Sequence, residues 1–159
     1  MEERKVTLAL KAFLSRKGWK IISVHYPGAQ GGLSVSIDGK TRGVVPDLIA
    51  MKDNVVLIVE SKSSFSSSDV DKLNNVFRDS RFIEKLQKKL SFPSGILYQK
   101  AITFHSIGFN ISNIPSGFVV FVVKGEKEVL VFVDKGVDNI VKDALELKLH
   151  TMVQSDQRG

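Results

Sequence analysis

Apolar residues recur along this chain with two different periods. Over residues 2–17, Val6, Leu10, Phe13 and Leu14 fall three or four positions apart, the spacing of one helix face, and Gly18 supplies a stop. "WKIISVHYP" then reads as a strand. It is followed by the glycine-rich "GAQGG" and an extended stretch, "LSVSIDGKTRG", in which Leu33, Val35 and Ile37 alternate with polar positions. Residues 44–64 form two apolar runs separated by "DN", the pattern of a hairpin. "SSFSSS" is a short low-complexity linker, after which Ser68 or Asp69 can cap a helix running towards Leu90 with a break near "RDS". "SGILYQKAITFHSIGFN" fits strand and helix templates equally and stays open. "FVVFVVKGEKEVLVFVDKG" is a second hairpin, turning at "KGEKE". The segment 137–150 predicts a last helix with Val137, Ile140, Val141, Ala144, Leu145 and Leu149 on one side. Helix, three or four strands, helix, two strands, helix is the order of an α/β or α+β sheet covered by helices.

Length turns this list of elements into one domain. A chain of 159 residues buries a real core but is too short for two ordinary domains, so residues 1–153 are expected to fold as a unit, with 154–159, "QSDQRG", as a flexible tail. Hydrophobic residues at 43% and charged residues at 25% fit a globular protein. The absence of cysteine excludes disulfides, thiolate zinc sites and cysteine nucleophiles. The first residues interleave charges with apolar positions, unlike a signal peptide, and no run approaches the roughly 20 apolar residues of a membrane span, so a cytoplasmic protein without membrane contact is expected. A net charge of +6 is compatible with a polyanionic partner.

The hairpin carries three charges in its most apolar surroundings, Asp47, Glu60 and Lys62. Asp53 and Asn54 tolerate the positive φ that a two-residue turn needs. With that turn Lys52 faces Val55 and, counting back along both strands, Asp47 faces Glu60 with Cβ atoms roughly 4.5 to 5.5 Å apart. Strand alternation sends Lys62 to the face of Glu60. Two like charges opposed in an apolar setting are destabilising unless something neutralises them. A divalent cation held by Asp47, Glu60, the Ser61 carbonyl and water would do so, and these hard oxygen donors suit Mg²⁺. Lys62 could then orient or deprotonate a water or stabilise charge on a phosphate. A structural lysine–carboxylate cluster at a sheet end accounts for the same three residues without a metal.

"PD" at Pro46 and Asp47, 12 intervening residues, and "ESK" at Glu60, Ser61 and Lys62 resemble the PD-(D/E)xK signature of the restriction-endonuclease-like nuclease superfamily, which includes archaeal Holliday junction resolvases. The element order before and after the motif is also similar. The resemblance implies a restriction-endonuclease-like fold, a central mixed β-sheet flanked by α-helices, and Mg²⁺-dependent hydrolysis of DNA phosphodiesters, with Mn²⁺ able to substitute. It implies that Asp47 and Glu60 bind metal and that Lys62 assists the attacking water. Many members add a glutamate from the first helix, for which Glu3, then Glu2, are the candidates; Glu3 shares the helical stripe of Val6, Leu10 and Phe13. An acid there also complements the helix dipole without any ligand. The chain differs from compact resolvases in the glycine-containing insertion at 27–43.

Arg78, Arg81, Lys85, Lys88 and Lys89 follow the motif at about helical spacing, backed by Phe82, Leu86 and Leu90, as in a helix lying between core and phosphate backbone. Lys40 and Arg42, near "GAQGG", are further candidates for DNA contact. The same residues also make ordinary solvated faces. His25 and His105 lack the spacing of a metal pair or a triad, and "GAQGG" lacks the lysine and hydroxyl residue of a P-loop. The leading expectation is a metal-dependent DNA endonuclease, restriction-enzyme-like or junction-resolvase-like, paired as a homodimer to cut both strands. The alternatives are a catalytically silent nucleic-acid-binding or assembly module on the same fold, and a metal-free structural domain.

Overall fold

Val55 to Ser61 is a run with no exposed position, the signature of a strand covered on both faces. This strand lies inside a six-stranded sheet in a computed structural model that describes residues 1–26 and 45–147. The elements are α1 (Glu3–Arg16), β1 (Lys20–Val24), β2 (Leu48–Lys52), β3 (Val55–Lys62), α2 (Ser67–Arg78), α3 (Ser80–Lys89), β4 (Leu97–His105), a 3₁₀ turn (Ile111–Asn113), β5 (Val119–Gly125), β6 (Glu128–Val133) and α4 (Asn139–Ala144). Spatial order follows chain order, β1 to β6. β1, β2 and β3 run antiparallel, β3, β4 and β5 run parallel, and β6 returns antiparallel on β5. The protein is therefore α+β, with a mixed sheet flanked by helices.

Alternation along the strands feeds two cores. Val55, Leu57 and Val59 of β3 pack with Val6, Leu10 and Leu14 of α1 and Val141 of α4 on one face. Val56 and Ile58 pack with Leu73 of α2 and Phe82 and Leu86 of α3 on the other. Gly18 does end α1, at φ +87, a conformation that favours glycine because it has no Cβ to clash.

One open stretch is resolved, the break near "RDS" is present, and two helix bounds move. The ambiguous stretch is a strand, β4, paired in parallel with β3 from Val55↔Leu97 to Lys62↔Phe104. The helix after the serine linker is two helices: Asp79 has an extended backbone and its Oδ1 accepts from the Arg81 N–H at 3.0 Å, capping α3. Its start is also earlier, with Ser66 in the N-cap position, so Asp69 lies inside the first turn with a buried side chain and caps nothing. The last helix is short; Asp138 caps it through Ile140 N–H at 2.8 Å and Glu146 leaves it at φ +61. The stretch "LSVSIDGKTRG" with Lys40 and Arg42, Leu149 and the tail 154–159 lie outside the described residues.

Candidate active site

The β2–β3 hairpin has the two-residue turn at Asp53 and Asn54, with Asp53 at φ +54. Its register runs from Lys52↔Val55 to Leu48↔Val59. One step further, Asp47 stands in a bend after the buried Pro46 and Glu60 continues β3. The Ser61 backbone N–H donates to Asp47 Oδ2 at 2.7 Å, and the His25 N–H to the Asp47 carbonyl at 2.7 Å. Asp47 is thus fastened between β1 and β3 with its carboxylate turned to the end of β3. Glu60, 2% exposed, is in hydrogen-bonding contact with it.

Burial and the neighbouring Asp47 push the Glu60 carboxyl up to about 8, against a weaker opposing pull from Lys72. In neutral solution Glu60 therefore holds a proton that the two acids can share. The ammonium touching Glu60 Oε1 is that of Lys72, from α2, and not that of Lys62. Lys62 lies 3.8 Å from Glu3 Oε1, which brings the start of α1 to the same sheet end. Asp69, on the first turn of α2, is raised by burial and feels Lys62, Asp47, Lys72 and Glu3 around it. Burial pulls Lys72 down, but Glu60, Asp47 and Asp69 together hold its ammonium above the ordinary value.

The structure therefore brings together Asp47, Glu60, Ser61, Lys62 and Glu3, and adds Asp69 and Lys72. Sequence reading missed these two because α2 looks like a solvated face; the available signal was their spacing, one turn apart on one side of the helix. Among the described residues no three His, Cys, Asp or Glu side chains are gathered closely enough to hold one metal ion, so Glu3 stands with Lys62 rather than beside Asp47 and Glu60. Glu2 occupies the N-cap position of α1. The donors at the Asp47–Glu60 pair nonetheless fit a hard cation: two opposed carboxylates, one almost wholly buried, and a Glu60 Oε1 that meets Lys72 as an ion pair but takes no well-formed hydrogen bond. A positive charge already sits on that oxygen. Mg²⁺ commonly takes one or two carboxylates and completes its shell with water and substrate phosphate.

The basic row is divided by the break at Asp79. Arg78 ends α2 and bonds Asn75 Oδ1 at 2.7 Å, while Arg81 is held by Asp79 through Nε and Nη2 at 2.9 and 2.8 Å. Lys85, Lys88 and Lys89 are on α3, whose Phe82 and Leu86 are fully buried. Among the described residues no helix is long and apolar enough to cross a membrane. No family model, curated protein or solved structure matches this chain.

Proposed function

We propose that the protein is a divalent-metal-dependent DNA endonuclease of the PD-(D/E)xK type, on a restriction-endonuclease-like fold, cutting as a restriction enzyme or a junction resolvase does. The observation that carries this reading is the convergence of Asp47 and Glu60 at the end of β3, with the Ser61 N–H on Asp47 and Lys62 two residues beyond Glu60. Asp47, Glu60 and the Ser61 carbonyl would hold Mg²⁺, or Mn²⁺ in its place. The ion would supply the charge that makes a water nucleophilic at neutral pH and offsets charge developing on the phosphate. Lys62, nearly half exposed, has the reach to orient that water or to meet a phosphate oxygen, and Glu3 positions Lys62. Arg78, Lys85 and their neighbours supply phosphate contacts, and two copies pair to cut both strands.

Incubation with plasmid, linear duplex, single-stranded and four-way-junction DNA, with Mg²⁺ and with EDTA, tests the reading. Products that need the ion support it, and equal products in EDTA overturn the metal mechanism. A metal-free structural cluster is the second reading, favoured by the Lys72 ammonium on Glu60 and the Lys62–Glu3 ion pair, which already balance charge at this sheet end. It predicts that Mg²⁺ leaves the melting temperature unchanged, whereas a ligand of the native state must raise it.

A further inference from the structure

Parallel pairing sets Phe104 of β4 opposite Lys62 of β3, and the segments leaving both strands build a cavity past the strand ends, two residues beyond Glu60 along β3. Phe65, two residues past Ser63, packs its ring 5.5 Å from Phe104 at an interplanar angle of 76°. Phe109 meets the other two, 5.2 Å from Phe104 and 6.4 Å from Phe65. These three rings, with His105, Asn110 and Asn113, line a cavity of about 430 Å³.

Two features separate this cavity from an ordinary gap under a loop. Phe65 meets Phe104 edge-on yet stays 43% exposed, so an aromatic surface faces water at an energetic cost. The polar part of the lining is also directed. The Ser112 N–H and hydroxyl both donate to Asn110 Oδ1, at 3.0 and 2.9 Å, which commits the amide oxygen and leaves its NH₂ group as the donor. Asn113 is exposed, and its side chain has no hydrogen-bond partner among the described residues. Exposed π-faces with amide donors and acceptors at their margin match what a nucleobase offers: a stackable face and an edge of hydrogen-bonding groups. A base inside a duplex has both faces stacked and its pairing edge occupied, so only an unpaired or extruded base can enter.

We infer that this cavity takes one unpaired nucleobase from the DNA strand whose backbone lies at Asp47 and Glu60, stacked on Phe65 and hydrogen-bonded by Asn110 and Asn113. The inference rests on the nuclease reading, to which it adds a preference for single-stranded or distorted DNA. A net charge of +6 and the amide lining favour a nucleic acid over a second copy of the chain as the occupant.

The test is equilibrium binding in Ca²⁺ to a perfect duplex and to the same duplex carrying one unpaired 2-aminopurine nucleotide, for the wild type, Phe65→Ala and Asn113→Ala. The wild type should prefer the unpaired site and quench 2-aminopurine fluorescence by stacking. Phe65→Ala should reduce that preference roughly 5- to 100-fold, the range for removing one aromatic–base stack, and Asn113→Ala should reduce it less. Equal affinities for the two duplexes, or a preference unchanged in both variants, would overturn the pocket while leaving the nuclease reading in place. Absence of DNA binding with every substrate would remove both. A wild-type dimer in sedimentation that Phe65→Ala dissolves would make the aromatic patch a protein interface and overturn the inference.

Discussion

Lys62 and Lys72 differ in what they touch, and that difference separates the proposed catalytic role of Lys62 from the charge balance supplied by Lys72. Lys72 already places a cation on Glu60 Oε1, the oxygen a metal would use. Lys72→Met should therefore bind Mg²⁺ more tightly than the wild type, read by calorimetry; weaker binding would show that Lys72 supports the ion instead of competing with it. Lys62→Arg keeps the charge but cannot readily release a proton and is a wider, planar group. It should retain Mg²⁺ binding yet remain largely inactive, as should Lys62→Met, which removes one electrostatic interaction with the transition state and should lower cleavage roughly 10²- to 10³-fold; near-normal cleavage by Lys62→Arg would show that charge alone is required. Glu60 sets a pH dependence. Its carboxyl moves from 4.5 to about 8 in the fold. Between those values the native state keeps a proton that the unfolded chain has lost, so its contribution to metal-free stability is full below the lower value, falls as pH rises, and is gone above the higher one. In EDTA the melting temperature of the wild type should drop relative to Glu60→Gln across this window, and parallel curves would contradict the buried shared proton. Asp47 and Glu60 were legible in the sequence because a two-residue turn fixes which residues oppose each other. Lys72 was not, since its contact depends on how α2 crosses the sheet, which no strand register encodes.

The break between α2 and α3 decides where those side chains point. Leu73 of α2 and Phe82 and Leu86 of α3 are buried against the same face of the sheet, and Asp79 separates the two helices. Asp79 accepts from Arg81 both as a cap and as an ion pair. Asp79→Ala should cost about 1 kcal/mol, the usual worth of an N-cap, seen as a fall in melting temperature of about 2 to 4 °C for a domain of this size. No change would mean that the serine at position 80 starts the helix unaided. "RDS" announced this break through its turn-forming residues. β4 was illegible for a physical reason: it lies between two parallel neighbours with both faces covered, so the simple in-and-out alternation of a half-buried strand is absent, and its partners are far away in sequence. The last helix looked longer than it is because apolar spacing persists past Leu145, where Glu146 takes a positive φ and ends it.

Across the whole molecule, the carboxylates, Lys62 and the aromatic cavity gather where β3 and β4 end, and α1 and α2 both begin nearby. Ligands of parallel sheets commonly lie beyond the carboxyl ends of the strands. The net charge of +6 provides attraction to a polyanion without specificity. Neutralising Arg78, Arg81 and Lys85 together should weaken binding alike for all DNA sequences and flatten its salt dependence by about 0.9 in slope for each phosphate no longer neutralised. Arg81 should contribute least, because its guanidinium is held on Asp79. An unchanged slope would put the DNA surface elsewhere.

The proposed activity requires that Asp47 and Glu60 form a cation site rather than a self-neutralised cluster. Calorimetric titration of Mg²⁺ at neutral pH, in two buffers of different ionisation enthalpy, tests it most directly. The wild type should bind Mg²⁺ and release a proton as it does so, because the ion must displace the proton that Glu60 carries. Asp47→Ala and Glu60→Gln should each lose the binding. No binding by the wild type, or equal binding by both variants, would show that the two carboxylates are not a cation site.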